Sequence, residues 1–397
     1  MQFSHRQLFL RHLAQTSSSP LLLEIESAVG AQLFTPDGKS LIDLIGGISV
    51  CNIGHSHPKV VEAVKQQAEK YMHLMVYGEV VQAPQIQYAA SLCRHLPAAL
   101  QNIYFTNSGA EATEGALKLA KRFTGRSKIV YCKNAYHGST QGALSVMGDE
   151  SFKRNYRPLL PDTVMINYAD EKDLSVIDHR TAAVILETIQ AESGVSIPDM
   201  SFMKALRNCC HQNGALLILD EIQAGMGRTG KMFAFQHYDI IPDILLLGKA
   251  FGGGMPLGAF ISSKNIMQVI TEKPMLGHIT TFGGHPVCCA AGAAALQVLE
   301  NENVLENVEQ KGLLFEHLLC HPKIKAKRRK GLMMALEFDS FEQNKTIIDK
   351  ALKKGVFTDW FLFAPHCLRI APPLNISDKL IEQSCNILLD VIDRSAV

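Results

Sequence analysis

Three short stretches bring together residue types that could share a reaction. Asp220 ends the apolar run Leu216-Leu217-Ile218-Leu219, and Lys249 follows another, Ile244-Leu245-Leu246-Leu247, after one glycine. Both runs read as buried strands. In a parallel sheet covered on both faces, ligands gather at the carboxyl ends of the strands, so an acid and an amine there could face one pocket. Taken singly, each reads more readily as a surface group at a strand end. Gly252-Gly253-Gly254, just after Lys249, would let a ligand approach the backbone closely. The third stretch, Thr106-Asn107-Ser108-Gly109-Ala110-Glu111, closes a strand and opens a helix. Ser108 with Glu111 fits the capping box S-x-x-E. Gly109 and Ala110 leave first-turn N–H groups uncovered, which suits phosphate at a helix start. A plain helix cap would look similar, but no side chain larger than methyl stands at the two intervening positions.

Other patterns lead elsewhere and fail. Gly225-Met226-Gly227-Arg228-Thr229-Gly230 matches G-x-G-x-x-G, yet four residues separate it from the preceding strand and Lys231–Tyr238 is a poor helix. Leu216–Glu221 looks like the acidic strand of a nucleotide hydrolase, but the chain has no G-x-x-x-x-G-K-[ST] loop to accompany it. His55-Ser56-His57 offers two imidazoles without a third ligand nearby, so structural histidines are expected and no metal site.

The elements that must position these residues follow a regular rhythm. Strands are expected at Ile103–Thr106, Lys128–Tyr131, Val164–Asn167, Ala183–Glu187, Ala215–Asp220, Ile244–Leu247 and Ala259–Ser262. Helices are expected at Pro58–His73, Pro84–Leu96, Gly109–Phe123 and Met200–Asn213. This alternation implies an α/β fold, a mostly parallel central sheet with helices on both faces. Residues 29–44 suggest a hairpin turning at Pro36-Asp37-Gly38. One long helical stretch, Val287 to about Cys320, precedes strands at Gly331–Phe338 and Cys367–Ile370 and a closing helix at Asp378–Ile392. The division expected is a large domain over 51–286 and a smaller α+β domain over 287–397, to which 1–50 contribute.

With 39 Lys+Arg against 38 Asp+Glu in 397 residues, the net charge of +1 supplies no field for nucleic acid or an anionic membrane. The basic run Lys323–Lys330 is short and reads as a solvated turn. The ten cysteines show no C-x-x-C spacing; Cys209-Cys210 and Cys288-Cys289 sit inside helical patterns as buried thiols. No run reaches the ~20 apolar residues of a membrane span, and no secretory signal opens the chain. A cytoplasmic location is expected.

A phosphate site, an acid at a strand end and a lysine after a strand are the three anchors of pyridoxal phosphate. The chain resembles the class III aminotransferases, the pyridoxal-phosphate family of acetylornithine, ornithine and 4-aminobutyrate aminotransferases. The resemblance runs from about Ile42 to Pro373. It includes Asn52–Pro58, Asn107–Glu111, Tyr136-His137-Gly138, Asp220–Gly230, Lys249 with its glycines, Thr280–Gly284 and Leu368–Pro373. It implies fold type I of the pyridoxal-phosphate enzymes.

By this resemblance Lys249 forms the Schiff base with the cofactor and then shuttles the proton, and Asp220 pairs with the pyridine nitrogen. Tyr136 and Ile222 flank the ring, Gln223 bonds its 3-oxygen, and Ser108, Gly109 and Ala110 hold the phosphate. Glu187 stands beside the cofactor. Thr281 resembles the threonine that reaches the partner subunit's phosphate, which implies a homodimer with shared active sites, and Thr280 and Ser139 fall among the implied substrate-binding residues with Glu192 and Arg369. Arg369 takes the α-carboxylate of glutamate or 2-oxoglutarate, and Glu192 masks that arginine while a terminal amine occupies the site. The implied reaction moves an amino group from an ω-amino compound of ornithine or acetylornithine type to 2-oxoglutarate.

Two departures stand out. Ser139 occupies the position where the ornithine and acetylornithine enzymes usually carry an arginine that clamps the distal carboxylate, and Arg154 or Arg157 would have to substitute in space. Thr188 and Ala191 replace the usual Pro and Gly around Glu192. Ser139 lends weight to the alternatives, 4-aminobutyrate, lysine ε- or diamine aminotransferases. Racemases and mutases share Lys249 and Asp220, but the Glu192–Arg369 pair argues against them. A non-catalytic pyridoxal-phosphate-binding protein would have no need of Lys249.

Overall fold

The computed structural model describes residues 3–395. Seven strands form the central sheet, in the order 102–106, 258–262, 244–247, 216–220, 181–187, 128–132 and 163–166. Only Gly258–Ser262 runs against the others. The remaining pairs are parallel, with Glu187 level with Asp220. Side chains alternate between two cores, except that Ala182 and Ala183 share one. Val184, Leu186, Leu217, Leu219, Leu245 and Leu247 enter one, while Ala183, Ile185, Leu216, Ile218, Ile244 and Leu246 enter the other. This is why the strands are continuous apolar runs: a period of two with both faces covered leaves no polar side.

Helix Gly109–Thr124 lies across this sheet. Gly115 permits the approach, since a Cβ there would sit 2.2 Å from the Phe260 ring. The helix ends at Gly125 in the left-handed conformation. Each of the seven expected strands lies within two residues of an observed one.

The hairpin at the start is Gln32–Phe34 paired with Ser40–Asp43, and the second of these strands pairs in parallel with Val356–Phe357. The N-terminal segment and the C-terminal region therefore share one sheet. A third sheet joins Ala326–Lys330, Met333–Glu337, Ala364–Ile370 and Trp360–Phe361.

Two expectations are corrected. The stretch from 287 to 320 is two helices, Pro286–Asn301 and Val308–Leu318. They are parted by Glu302–Asn307, where Asn303 takes φ +50° and Leu305–Asn307 makes a tight turn. The basic run is not a solvated turn: Ala326–Lys330 is a half-buried strand antiparallel to Met333–Glu337. Its charges are absorbed locally. Arg328 contacts Glu337 at 2.5 Å, and Arg329 reaches Glu309 and Glu316, both at 2.9 Å. No helix among the described residues is long and apolar enough to cross a membrane.

Candidate active site

The carboxyl ends of five parallel strands converge. Thr106 leads to Ser108, Cys132 to Tyr136, and Leu247 to Lys249, while Glu187 and Asp220 end their own strands. They open onto a cavity of about 340 Å³ lined by Gly109, Ala110, Tyr136, Glu187, Ile222 and Lys249, with Asp220, Gln223, His137 and Ser139 also on its wall. That volume sits at the small end of the range for ligand pockets.

At one end the helix Gly109–Thr124 presents its first turn. Ser108 Oγ accepts from the Glu111 N–H at 3.2 Å, and the Glu111 carboxylate reaches back to the N–H of Asn107 at 2.9 Å. Both cap bonds serve neighbours, so the N–H groups of Gly109 and Ala110 are left to face the cavity, where the helix dipole favours an anion. Close packing keeps this corner small. A Cβ on Gly109 would lie 2.7 Å from Ile222, and one on Gly138, at φ +130°, would lie 2.6 Å from Ala110.

Asp220 is 3% exposed and held at both oxygens. Oδ1 accepts from the Ile222 N–H at 2.9 Å and Oδ2 meets His137 Nδ1 at 2.6 Å. The carboxylate therefore has one orientation, and an unpaired charge does not go into the sheet. His137 was present in the Tyr136-His137-Gly138 stretch but carried no assigned role from sequence; its partner lies 83 residues away. Glu187 accepts from the N–H groups of Tyr136 and Ala191, both at 3.0 Å. Burial pushes its carboxyl up to about 7, His137 works against that rise, and the charge on Asp220 reinforces it. Lys249 takes φ +48°, a left-handed conformation that an L-residue seldom holds without a reason. Burial pushes its amine below the ordinary lysine range, although Glu192 and Asp220 pull the other way.

Behind the cavity wall lies a second charged group. Arg369 and Glu192, 3% and 4% exposed, form a two-pronged pair, Nη1–Oε1 at 2.9 Å and Nη2–Oε2 at 3.0 Å. Burial alone would raise the Glu192 carboxyl, but the Arg369 guanidinium holds it below its ordinary value. Thr188 and Ala191 are tied into this loop, the Ala191 N–H donating to Glu187 at 3.0 Å. Thr188 bonds Glu221 at 3.0 Å, and Gln190 pairs with Ser196 across it.

The remaining expected residues fall in different places. Gln223 lines the cavity, but its amide donates to Glu192 at 3.1 Å, tying it to the charged pair. Ser139 is exposed and lies 3.3 Å from the Tyr136 hydroxyl. Arg157 is engaged with Glu150 at 2.7 Å, and Arg154 is exposed. Thr280 and Thr281 do not join the cavity of their own chain; Thr281 is exposed and Thr280 half-buried. His55 pairs with Asp43 at 2.7 Å and His57 with Glu302 at 3.5 Å.

The donor set fits pyridoxal phosphate: free helix-start N–H groups for a phosphate, a fixed carboxylate for a ring nitrogen, a lysine, and a tyrosine and an isoleucine on the walls. Residues 13–392 match the family model described as aminotransferase class-III. The acetylornithine aminotransferase of Methanopyrus kandleri is 38% identical, over 92% of this chain and 93% of its own. Ornithine aminotransferase 1 of Staphylococcus aureus is 35% identical, over 96% and 97%. Among solved structures, the ornithine aminotransferase of Toxoplasma gondii superposes with a TM-score of 0.91 at 29% identity, covering 97% of this chain and 93% of that one. The fold is type I of the pyridoxal-phosphate enzymes, the cofactor is pyridoxal phosphate, and the chain belongs to the class III aminotransferases.

Proposed function

We propose that this enzyme transfers an amino group from an ω-amino compound of the ornithine or acetylornithine type to 2-oxoglutarate. The observation that carries the reading is the buried Glu192–Arg369 pair. A terminal amine carries no carboxylate at its reacting end, so Arg369 must be masked while it binds. A 2-oxo acid does carry one, and a two-pronged guanidinium contact suits it. Glu192, paired in one half-reaction and displaced in the other, lets one site serve both.

Bound pyridoxal phosphate supplies an electron sink for the carbon that loses its proton. Lys249 Nζ would hold the cofactor and, once released, would carry that proton from the substrate carbon to the C4′ carbon of the cofactor. This work needs a neutral amine, and burial favours one. Asp220, fixed by His137 and Ile222, keeps a proton on the ring nitrogen. Gly109 and Ala110 donate to the phosphate with Ser108 capping their helix, and Tyr136 and Ile222 confine the ring. Gln223, on the cavity wall beside the charged pair, would hydrogen-bond the ring 3-oxygen. Thr281, beside Thr280, serves the partner subunit's phosphate in a homodimer with shared sites. All ten cysteines are free, which supports a cytoplasmic location.

A second reading, a 4-aminobutyrate, lysine ε- or diamine aminotransferase, is favoured by Ser139 and by the engagement of Arg157 with Glu150. Both leave the far end of the donor without an obvious cationic clamp in this chain. An absorbance scan of the holoenzyme with ornithine, N-acetylornithine, 4-aminobutyrate, lysine and putrescine, and with the α-amino acids alanine and aspartate, tests both readings. A shift with ornithine or N-acetylornithine is expected. A shift with the other amines alone selects the second reading, and one with α-amino acids only overturns both.

A further inference from the structure

Arg369 is gripped from two sides, and only one side can let go. Toward the cavity it meets Glu192, which stands on the loop between strands 181–187 and the helix at Met200. On the other side, Nε donates to Asp359 Oδ1 at 2.8 Å and Nη2 to the carbonyl of Trp360 at 3.1 Å. The Phe361 ring lies against the guanidinium, 4.4 Å from its carbon. Asp359 cannot follow Glu192, because its own backbone is tied to that of Arg369. Arg369 N–H donates to the Asp359 carbonyl at 2.9 Å, and the Thr358 hydroxyl donates to the Arg369 carbonyl at 2.5 Å.

We propose that Asp359 is a positioning residue for the carboxylate-binding arginine: it holds Nε so that the two Nη groups stay aimed at the cavity after Glu192 has swung away. The inference rests on the reading of Arg369 as the site for the acceptor's α-carboxylate. A long, flexible arginine freed from one carboxylate would otherwise sample many rotamers, and two-pronged recognition requires the fork to be set in advance. The oxygen acting as acceptor matters here, and the charge matters less. Ionised Asp359 draws on the same guanidinium whether Glu192 or substrate occupies its front, so its charge largely cancels in the exchange. An asparagine keeps an oxygen in that place; an alanine does not.

The test uses holoenzyme reconstituted with pyridoxamine phosphate, so that no donor needs to be identified. Discharge by 2-oxoglutarate is compared with discharge by butanal, which has no carboxylate. Asp359→Ala is expected to raise the half-saturating concentration of 2-oxoglutarate at least ~10-fold, with butanal and the maximal rate little changed. Asp359→Asn should recover to within about twofold of wild type, a margin set by keeping one hydrogen bond. Equal losses with both acceptors, no loss, or an asparagine variant as weak as alanine each overturn the proposal. Arg369→Ala separates the two levels. If that variant loses 2-oxoglutarate selectively while Asp359→Ala does not, the positioning role alone fails. If Arg369→Ala leaves 2-oxoglutarate untouched, the underlying assignment of Arg369 fails and takes the proposal with it.

Discussion

Replacing Glu192 by glutamine should open the arginine permanently, and the size of the effect can be worked from its contacts. In the resting state Glu192 accepts from Arg369 Nη1 at 2.9 Å and Nη2 at 3.0 Å, from Gln223 at 3.1 Å, and from the Leu362 N–H at 3.0 Å. A ligand carboxylate must displace the two guanidinium bonds before making its own. Bonds to charged groups contribute about 1.5–3 kcal/mol each, so the two together favour the closed state by roughly 3–6 kcal/mol. Part of that returns when Glu192 finds water or other donors in its displaced position. A net closing bias of about 2–3 kcal/mol is reasonable, which at 1.4 kcal/mol per decade is a factor of roughly 30–150 in apparent affinity. Glutarate, a dicarboxylate that cannot react, isolates the binding step. Titration calorimetry on the holoenzyme should show glutarate binding tightened by roughly that factor in Glu192→Gln. Donor turnover should fall at the same time, because an unmasked arginine captures carboxylates while the amine is needed. Glutarate affinity unchanged within about threefold would mean that Glu192 does not gate Arg369, since the closing bias would then be under 1 kcal/mol.

Three further outcomes are expected. Borohydride reduction of the holoenzyme followed by peptide mass mapping should place the cofactor mass on Lys249; a different lysine would refute the assignment. Asp220→Ala should retain cofactor by absorbance yet lose turnover, because the group that keeps the ring nitrogen protonated is gone; normal activity in that variant would remove Asp220 from the mechanism. Burial pushes the Asp359 carboxyl up from 3.8 to about 6 despite Arg369 beside it. A raised folded-state value means that the stability from this group is complete below pH 3.8 and is lost as pH rises through about 6. Asp359→Asn should therefore match wild type in thermal denaturation near the low end of that window and exceed it at pH 8. A variant less stable than wild type at pH 8 would show that the ion pair outweighs the burial.

The central sheet was legible because burial on both faces writes itself as uninterrupted apolar runs. Leu216–Asp220 and Ile244–Leu247 need no partner residues to be recognised. The break at 302–307 was not legible, because Glu300-Asn301-Glu302-Asn303 holds no proline or glycine to stop a helix. The strand Ala326–Lys330 was hidden for another reason. It lacks any apolar alternation, and the acids that accept its arginines, Glu309, Glu316 and Glu337, lie apart from it along the chain. In the site, local chemistry was visible at Ser108–Glu111, where cap and anion site share neighbouring residues. His137 and Asp359 were missed because each acts on a group far away in sequence or across a hairpin. Neither has a spacing signature; each is recognisable only once Asp220 and Arg369 have been located in space.

The hairpin that carries Asp359, Trp360 and Phe361 belongs to the C-terminal sheet, whereas every group facing the ring stands on the central one. The two meet at the Arg369–Glu192 pair, at the Leu362 N–H on Glu192 and the Phe363 N–H on its carbonyl, both at 3.0 Å, and along a buried seam where Phe361, Ala364 and Cys367 pack with Ile189, Ala191 and Val195. Heredity can therefore edit the rim of that hairpin apart from the sheet that carries Lys249. A lineage that exchanges residues 359, 360, 362 and 363, while Thr358 and Phe361 keep the buried seam, alters which carboxylates are admitted and leaves the proton-moving lysine and its sheet in place. A library randomised over the four of those positions that are not buried, 359, 360, 362 and 363, samples selectivity while the proton-moving lysine and its sheet stay as they are.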